Sequence, residues 1–225
     1  MHYRLRCIAL SQGPSREQPW RTGPGGLRRD HHRRLLSPDD SLDTLIINAL
    51  FGDGAGAVIV GADTVHPVEH SLVQMVSVTQ TVIPNTEHVL TVELGAFGIH
   101  AKVSTKLPNI VGDNIEHCLQ DAFAPLAIDV KWNDLFWAVH PGSRGVLDHI
   151  DKILHLEPTK LAASRTVVQK FGNLLGATVI FVLEEQLRRM EEEGDAAEWG
   201  VMLGFGPGFT METMVLRSAG GLKKK

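Results

Sequence analysis

The stretch LFWAVHPG, residues 135–142, decides the fold and places a histidine at its end. The apolar run Leu135–Val139 predicts a buried strand, and His140 follows it directly. A second stretch, KFGNLLGATVIFVL at residues 170–183, places Asn173 before an apolar helical run. Strand ends and helix starts can face a shared pocket in layered α/β folds. A lone histidine after a strand is more often structural, so the interpretation of His140 depends on the rest of the chain.

The length and composition are those of an ordinary soluble globular chain. It has 225 residues, 43% hydrophobic and 21% charged, which is enough for one sizeable core or two small ones. No apolar run reaches the roughly 18 residues that span a bilayer, and the N-terminus lacks the apolar core of a signal peptide. Cys7 and Cys118 form neither a disulfide framework nor a metal-ligand spacing. We therefore expect a reducing, cytoplasmic location and no membrane partner.

The net charge of −4 is the sum of a basic N-terminal block and an acidic remainder. Residues 1–36 contain eight Arg, no Lys, and only Glu17 and Asp30 as acids, a net charge of +6. The block shows no helix or strand periodicity, so we predict a non-native or disordered arm. A basic arm could also bind nucleic acid or an acidic surface, although the charge of the whole chain does not favour nucleic-acid binding.

The remaining chain alternates predicted strands and helices. Strands are expected at residues 57–61, within 66–82, and at 135–140, 199–204 and 209–217; helices are expected from Pro108 and at 144–156, 158–170 and 174–193, the last capped by Asn173. A glycine turn is predicted at residues 51–56, residues 85–107 read as irregular, and the GFGPG loop joins the last two strands. This order argues for a layered α/β domain that ends on an antiparallel pair.

Four segments together resemble one known family. They are ALFGDGAGAVIVGAD (49–63), FWAVHPGSRGVLD (136–148), FGNLLGATVIFVLEE (171–185) and WGVMLGFGPGFTMETMVLR (199–217). In order and spacing they resemble the plant type III polyketide synthases, the chalcone and stilbene synthase group, over about residues 38–217. Four collinear motifs make a far more specific signal than any single glycine-rich loop.

The resemblance implies a thiolase-like layered αβαβα fold, of which this chain supplies the C-terminal half. The implied organisation is a non-native arm at 1–37, the end of the N-terminal lobe at 38–70, the C-terminal domain at 71–218 and a frayed tail at 219–225. It also implies a homodimer of the full-length form. Members condense a CoA-linked starter acid with malonyl-CoA, using a Cys-His-Asn triad and neither metal nor cofactor, so CoA thioesters are the expected partners.

Individual positions follow from the same resemblance. His140 and Asn173 match the family's catalytic histidine and asparagine, and Phe51 matches a gatekeeper between the CoA tunnel and the cavity. The GFGPG segment matches a loop that shapes the cavity and comprises Gly204, Phe205, Gly206, Pro207 and Gly208.

Two cavity positions depart from the family pattern. Ala101, in the run IHAKVSTKLP, stands where a second gate phenylalanine is usual, and Leu175, shortly after Asn173, stands where many members carry a small polar residue. Both changes alter the expected cavity shape. A different starter, fewer extensions or a curcuminoid-type product therefore stay open beside a chalcone or stilbene.

The residue types suit the implied chemistry. A cysteine thiolate accepts the acyl group, and an adjacent imidazole can hold the thiol ionised. Decarboxylation of a malonyl thioester develops negative charge on the thioester oxygen, which donors from His140 and the Asn173 amide can stabilise. An asparagine is a neutral donor, whereas a carboxylate would repel that charge.

The nucleophilic cysteine of the triad is missing at the family distance before Phe51. A shift of the reading frame by one base offers an explanation, because Met1–His2 must be encoded ATG-CAY and the shifted triplet TGC encodes cysteine. With permitted synonymous codons, residues 12–37 become KDLAENNPGERVLVVCAEITTVVSFR, which closely resembles the family segment before Phe51. We therefore interpret residues 1–37 as an out-of-frame translation.

Two main hypotheses about function follow. The locus encodes a type III polyketide synthase of which this chain is the C-terminal lobe, or the chain is non-catalytic and at most binds a CoA ester or a full-length synthase. A third and weaker hypothesis is a basic nucleic-acid-binding arm on an inactive lobe. In either main case an isolated lobe exposes an apolar face that its partner lobe would cover, so we expect poor solubility.

The frame-shift interpretation predicts the reading frame of the full-length transcript. Sequencing of the full-length transcript across the codons for residues 1–40 should reveal an uninterrupted frame that passes through a cysteine into the Phe51 motif. A transcript that encodes residues 1–37 as they stand would contradict the interpretation and would leave the chain without its nucleophile.

Overall fold

The computed structural model describes residues 3–7, 45, 49–61, 71–95, 98–195 and 197–219. Its strands are β1 (Tyr3–Cys7), β2 (Val58–Gly61), β3 (Val73–Val82), β4 (Leu90–Gly95), β5 (Gly98–Val103), β6 (Phe136–Val139), β7 (Trp199–Gly206) and β8 (Thr210–Ser218). Its helices are α1 (Leu107–Phe123), α2 (Arg144–Leu154), α3 (Ala162–Phe171) and α4 (Ala177–Glu193), with short 3₁₀ turns at Ala124–Leu126 and Trp132–Asp134.

One mixed sheet organises these elements. Its strand order is β2-β1-β3-β8-β7-β6, and β4 and β5 form a separate two-stranded hairpin. Only β6 and β7 pair in parallel; the other ladders of the described sheet are antiparallel. The parallel pair arises because α2, α3 and α4 lie between β6 and β7 in the chain, and a crossover of that length lets the second strand run in the same direction as the first.

Helices cover both faces of the sheet. Strand β6 shows why: Trp137 and Val139 belong to the core cluster formed with α1 and α2, while Phe136 and Ala138 belong to the cluster formed with α3 and α4. All four residues are buried, because successive side chains of a strand point to opposite faces and both faces are packed. The unbroken apolar run before His140 is therefore the sequence signature of a strand that is buried on both sides.

The predicted alternation of strands and helices and the closing antiparallel pair are confirmed, with three differences. Residues 85–107, expected to be irregular, contain the β4–β5 hairpin. The first half of GFGPG continues strand β7 to Gly206, so the turn itself is shorter than expected. The last helix starts at Ala177, and its N-cap is Gly176, not Asn173.

The prediction for the N-terminal arm also differs from the structure in one segment. Tyr3–Cys7 form β1, which pairs with β2 on one side and β3 on the other. The sequence YRLRC alternates arginine with other residues at the period of a strand, a signal too short to stand out in the basic block. The rest of the predicted arm, residues 1–2 and 8–37, lies outside the described residues.

Several large apolar side chains remain exposed to solvent. On β3, Val78 is 54% exposed and Val82 is 60% exposed, and their spacing places both on the same face of the strand. Ile59 and Val60, in β2 at the edge of the sheet, are also nearly half exposed. Exposed apolar groups on a sheet face and on an edge strand favour self-association. No helix in the described ranges has the length and apolar character to cross a membrane.

We therefore predict that the purified chain self-associates at micromolar concentration. Replacing both exposed valines (Val78→Thr and Val82→Thr) should lower the apparent mass measured by size-exclusion chromatography with light scattering, because threonine keeps the β-branched shape and adds a solvated hydroxyl. Val73→Thr is the matched control: Val73 is fully buried on the same strand, so this change should destabilise the fold instead. A monodisperse wild-type monomer with a cooperative melt would contradict the prediction.

Candidate functional site

His140 is the first residue after β6 and is held there by the neighbouring strand. Its backbone N–H donates to the carbonyl of Leu203 in β7 at 2.8 Å. Its imidazole meets Phe205 edge to face, with ring centroids 6.3 Å apart, and Phe205 stacks on Phe209 at 6.1 Å. The predicted GFGPG segment therefore reaches the histidine through Phe205.

The far end of the GFGPG turn is tied to the end of β3. The N–H of Ile83 donates to the carbonyl of Phe209 at 3.0 Å, and the N–H of Phe209 donates to the hydroxyl of Thr86 at 3.3 Å. Thr86 is buried, so these bonds are protected from water. Sequence reasoning did not identify Thr86, because its partner lies more than a hundred positions away in the chain.

Asn173 pairs with the Phe51 segment as one parallel bridge. The N–H of Asn173 donates to the carbonyl of Leu50 at 2.8 Å, and the N–H of Gly52 donates to the carbonyl of Asn173 at 3.0 Å. This close approach requires glycine, because a Cβ at Gly52 would lie 1.9 Å from the carbonyl oxygen of Phe171. The FGDG sequence thus pairs with the Asn173 segment, and glycine at position 52 permits the close approach of the two backbones.

The side chain of Asn173 is also fixed at both ends. Its Nδ2 donates to the carbonyl of Gly142 at 3.0 Å, and its Oδ1 accepts from the N–H of Leu175 at 2.9 Å. The residue is only 6% exposed. A side-chain amide has two N–H donors, so one N–H of Asn173 stays free of these contacts.

Gly142 is the link between the two predicted catalytic residues. It lies two positions after His140, and its carbonyl orients the Asn173 amide. The structure thereby brings together His140, Asn173, Phe51 and Phe205, which sequence reasoning had selected from four separate motifs.

The remaining predicted cavity residues have different positions. Leu175 follows Asn173 closely and is 66% exposed, with a left-handed backbone at φ 56°. Pro207 and Gly208 form the turn between β7 and β8. Ala101 lies in β5, opposite Val92 of β4, and its side chain lies outside the described part of the structure.

The imidazole of His140 is neutral at physiological pH. Burial lowers the pKa of His140 from 6.5 to about 4, because a partly dehydrated site penalises the charged form. A neutral imidazole has one N–H donor and one acceptor nitrogen. The site thus offers two neutral donor groups, His140 and Asn173, and among the described residues no carboxylate contributes to the pKa shift of His140.

Cys118 does not serve as a nucleophile in this arrangement. It is fully buried on α1 within the core, where its sulfur lies 3.9 Å from that of Met211. Burial raises the pKa of the Cys118 thiol, which disfavours the reactive thiolate. Cys7 lies opposite Val58 in the β1–β2 ladder. In the described part of the chain, no three His, Cys, Asp or Glu side chains converge as metal ligands.

The low pKa of His140 predicts a specific pH dependence. As the pH falls below 6.5, the unfolded chain binds a proton at this position, while the folded chain stays unprotonated until about pH 4. Folding stability should therefore fall across this interval, and His140→Gln should reduce the fall. The imidazole signal of His140 in an NMR titration should have a midpoint near pH 4; a midpoint at the ordinary value would contradict the burial argument.

Comparisons with known proteins identify the family of the chain. Residues 74–220 match the C-terminal domain of chalcone and stilbene synthases. Bisdemethoxycurcumin synthase of Oryza sativa subsp. japonica is 47% identical over 191 residues, an alignment that covers 82% of this chain and 47% of that protein. The chain thus spans about half the length of the curated relative it matches. The resemblance and the thiolase-like α/β fold expected from the sequence are confirmed: the chain belongs to the chalcone and stilbene synthase family, the plant type III polyketide synthases.

Proposed function

We propose that this chain is the C-terminal lobe of a type III polyketide synthase acyltransferase and that the lobe contains the groups for malonyl decarboxylation. The observation that carries the proposal is the hydrogen bond from Asn173 Nδ2 to the carbonyl of Gly142, two residues after His140. This bond orients one amide N–H of Asn173 and leaves the second N–H outside the contacts described above. Burial keeps the imidazole of His140 neutral.

The decarboxylation step uses only these neutral donors. The bond between the α-carbon and the carboxylate carbon of malonyl-CoA breaks and releases CO₂. Its electron pair forms an enolate, whose charge lies largely on the thioester oxygen. The free Asn173 N–H and the N–H of His140 would donate to this oxygen, and fixed donors that face developing charge are an effective source of rate enhancement. Protonation of the α-carbon by water then yields acetyl-CoA.

Condensation requires a nucleophilic cysteine, and none stands in this sequence at the family distance before Phe51. The carbonyl carbon of a starter acyl group must transfer from CoA to a thiolate before the enolate attacks it. Cys118 is buried in the core and is excluded from that role. We propose that the full-length synthase supplies the cysteine from the segment replaced here by residues 1–37, and that it acts as a cytoplasmic homodimer on an acyl-CoA starter and malonyl-CoA.

The product class of that synthase is proposed to be curcuminoid-like. The similarity to a bisdemethoxycurcumin synthase supports this choice over a chalcone or stilbene. The two departures in the sequence support it as well, because Ala101 and Leu175 change the bulk and polarity expected around the cavity. Phe51 and the GFGPG segment would form other parts of the wall, since the first pairs with Asn173 and the second contacts His140.

A second candidate is a non-catalytic protein that binds a CoA ester or a full-length synthase. Its specific support is the exposed apolar surface beside the site, where Leu175 is 66% exposed and Phe171 is 43% exposed. An exposed apolar surface of this kind is expected where another chain or a ligand binds and covers it.

Decarboxylation separates the two candidates. The full 225-residue chain should convert malonyl-CoA to acetyl-CoA and CO₂, and it should form no condensed product with an aromatic acyl-CoA. Asn173→Ala should lower kcat by about 10²-fold, the usual effect of losing one donor to developing negative charge. The measurement is chromatographic quantification of acetyl-CoA over time.

Matched variants control for general damage. Asn109→Ala, at an exposed position of α1, and His117→Gln, at an exposed position that pairs with Asp121, should leave the rate unchanged. Binding of malonyl-CoA without acetyl-CoA formation would favour the non-catalytic candidate. Formation of a condensed product would show that another residue replaces the missing cysteine.

A further inference from the structure

Thr178 occupies an unusual position for a hydroxyl group. It is the second residue of α4 and is fully buried, with 0% of its surface exposed. Its Oγ1 accepts a hydrogen bond from the N–H of Leu174 at 2.8 Å and donates one to the carbonyl of Leu175 at 2.7 Å. Its backbone N–H donates to the same carbonyl at 3.1 Å. One side chain therefore satisfies two peptide groups of the turn that precedes the helix.

This turn is the one that orients Asn173. The peptide groups of Leu174 and Leu175 directly follow Asn173 in the chain, and the N–H of Leu175 donates to Asn173 Oδ1 at 2.9 Å. The hydroxyl oxygen of Thr178 lies 3.5 Å from the same Oδ1. Fixing the turn thus fixes the oxygen end of the amide, and the nitrogen end is then directed at Gly142.

The turn needs the hydrogen bonds of the Thr178 hydroxyl because its backbone conformation is unfavourable. Leu175 has φ 56°, a left-handed conformation that side chains with a Cβ seldom adopt. The helix itself offers no substitute, because its N-cap, Gly176, provides no side-chain hydrogen bond. Without the hydroxyl of Thr178, the N–H of Leu174 would lose its partner inside the protein.

We propose that Thr178 is a positioning residue: its hydroxyl holds the turn at residues 174–175 so that the Asn173 amide presents its free N–H at a fixed place. The structural part of this proposal stands on the hydrogen bonds alone. Its catalytic part rests on the decarboxylation proposed above.

The structural part can be tested without any activity. The full chain is labelled with [¹⁵N]asparagine, which gives six pairs of side-chain N–H signals, and Asn173→Asp assigns one pair by its loss. Thr178→Val should accelerate hydrogen exchange at the Asn173 amide about fivefold, the effect of losing one hydrogen bond. Thr178→Ala removes the same hydroxyl without the added methyl group and serves if the valine variant fails to fold.

Two controls define the result. Thr178→Ser keeps the hydroxyl and should exchange at the wild-type rate. Thr213→Val makes the same chemical change at another buried threonine, one whose hydroxyl has no partner in the described part of the chain, and should leave the Asn173 signal unchanged. Wild-type exchange at Asn173 in both Thr178→Val and Thr178→Ala would overturn the proposal.

The catalytic part is tested by the split between kcat and KM for malonyl-CoA decarboxylation. Thr178→Val should lower kcat about tenfold with KM little changed, because the positioned donor acts mainly on the charge of the transition state. Thr178→Ser should restore kcat. A wild-type kcat in a variant whose Asn173 amide has become mobile would overturn the catalytic role. A wild-type chain without any decarboxylation would refute the proposed function, and the exchange experiment would still decide the role of Thr178.

Discussion

The hydrogen-bonding of Asn173 is the constraint on which the site depends. Its backbone binds Leu50 and Gly52, and its side chain binds Gly142 and Leu175. These partners come from three separate segments, so the position of one amide fixes the relative placement of all three. A buried amide left without partners would be unfavourable, and these bonds therefore stabilise the arrangement as well as orient it. What remains is a single N–H, and its direction is a consequence of the fold.

The protonation state of His140 complements this single donor. Burial favours the neutral imidazole of His140, which keeps one N–H that can donate to a developing oxyanion. A thiolate placed beside it would act in the opposite direction, because a nearby negative charge favours imidazolium and raises the pKa of the histidine. In the proposed function the neutral ring of His140 would therefore help to stabilise an enolate, whereas in a complete triad the same ring would be the partner of an ion pair. Under that proposal His140 would serve in both cases, and the difference would be the charge of the group beside it.

The sequence predicted the elements that leave a periodic or apolar pattern and missed the hydrogen bonds that depend on the geometry of one folded turn. The apolar run before His140 predicted β6 because burial on both faces leaves a direct trace in the sequence. Asn173 was expected to cap the last helix, since asparagine favours that role, but its carbonyl amide oxygen binds Leu175 inside a turn and the helix begins later, at Ala177. The role of Thr178 was equally hidden. In the run ATVIFVL it resembles an ordinary β-branched residue, and only the folded turn shows which peptide groups its hydroxyl reaches.

Leu175 shows how the local energetics of this turn are balanced. A left-handed leucine costs roughly 1–2 kcal/mol relative to the ordinary backbone conformation. Its apolar side chain, 66% exposed, gains little from burial to offset that cost. The compensation must come from the hydrogen bonds of the turn, each of which contributes about 1 kcal/mol. Four such bonds converge there, one through Asn173 and three through Thr178. The conformation that orients the Asn173 amide is therefore maintained by polar contacts and not by packing of the leucine, whose side chain stays largely exposed to solvent.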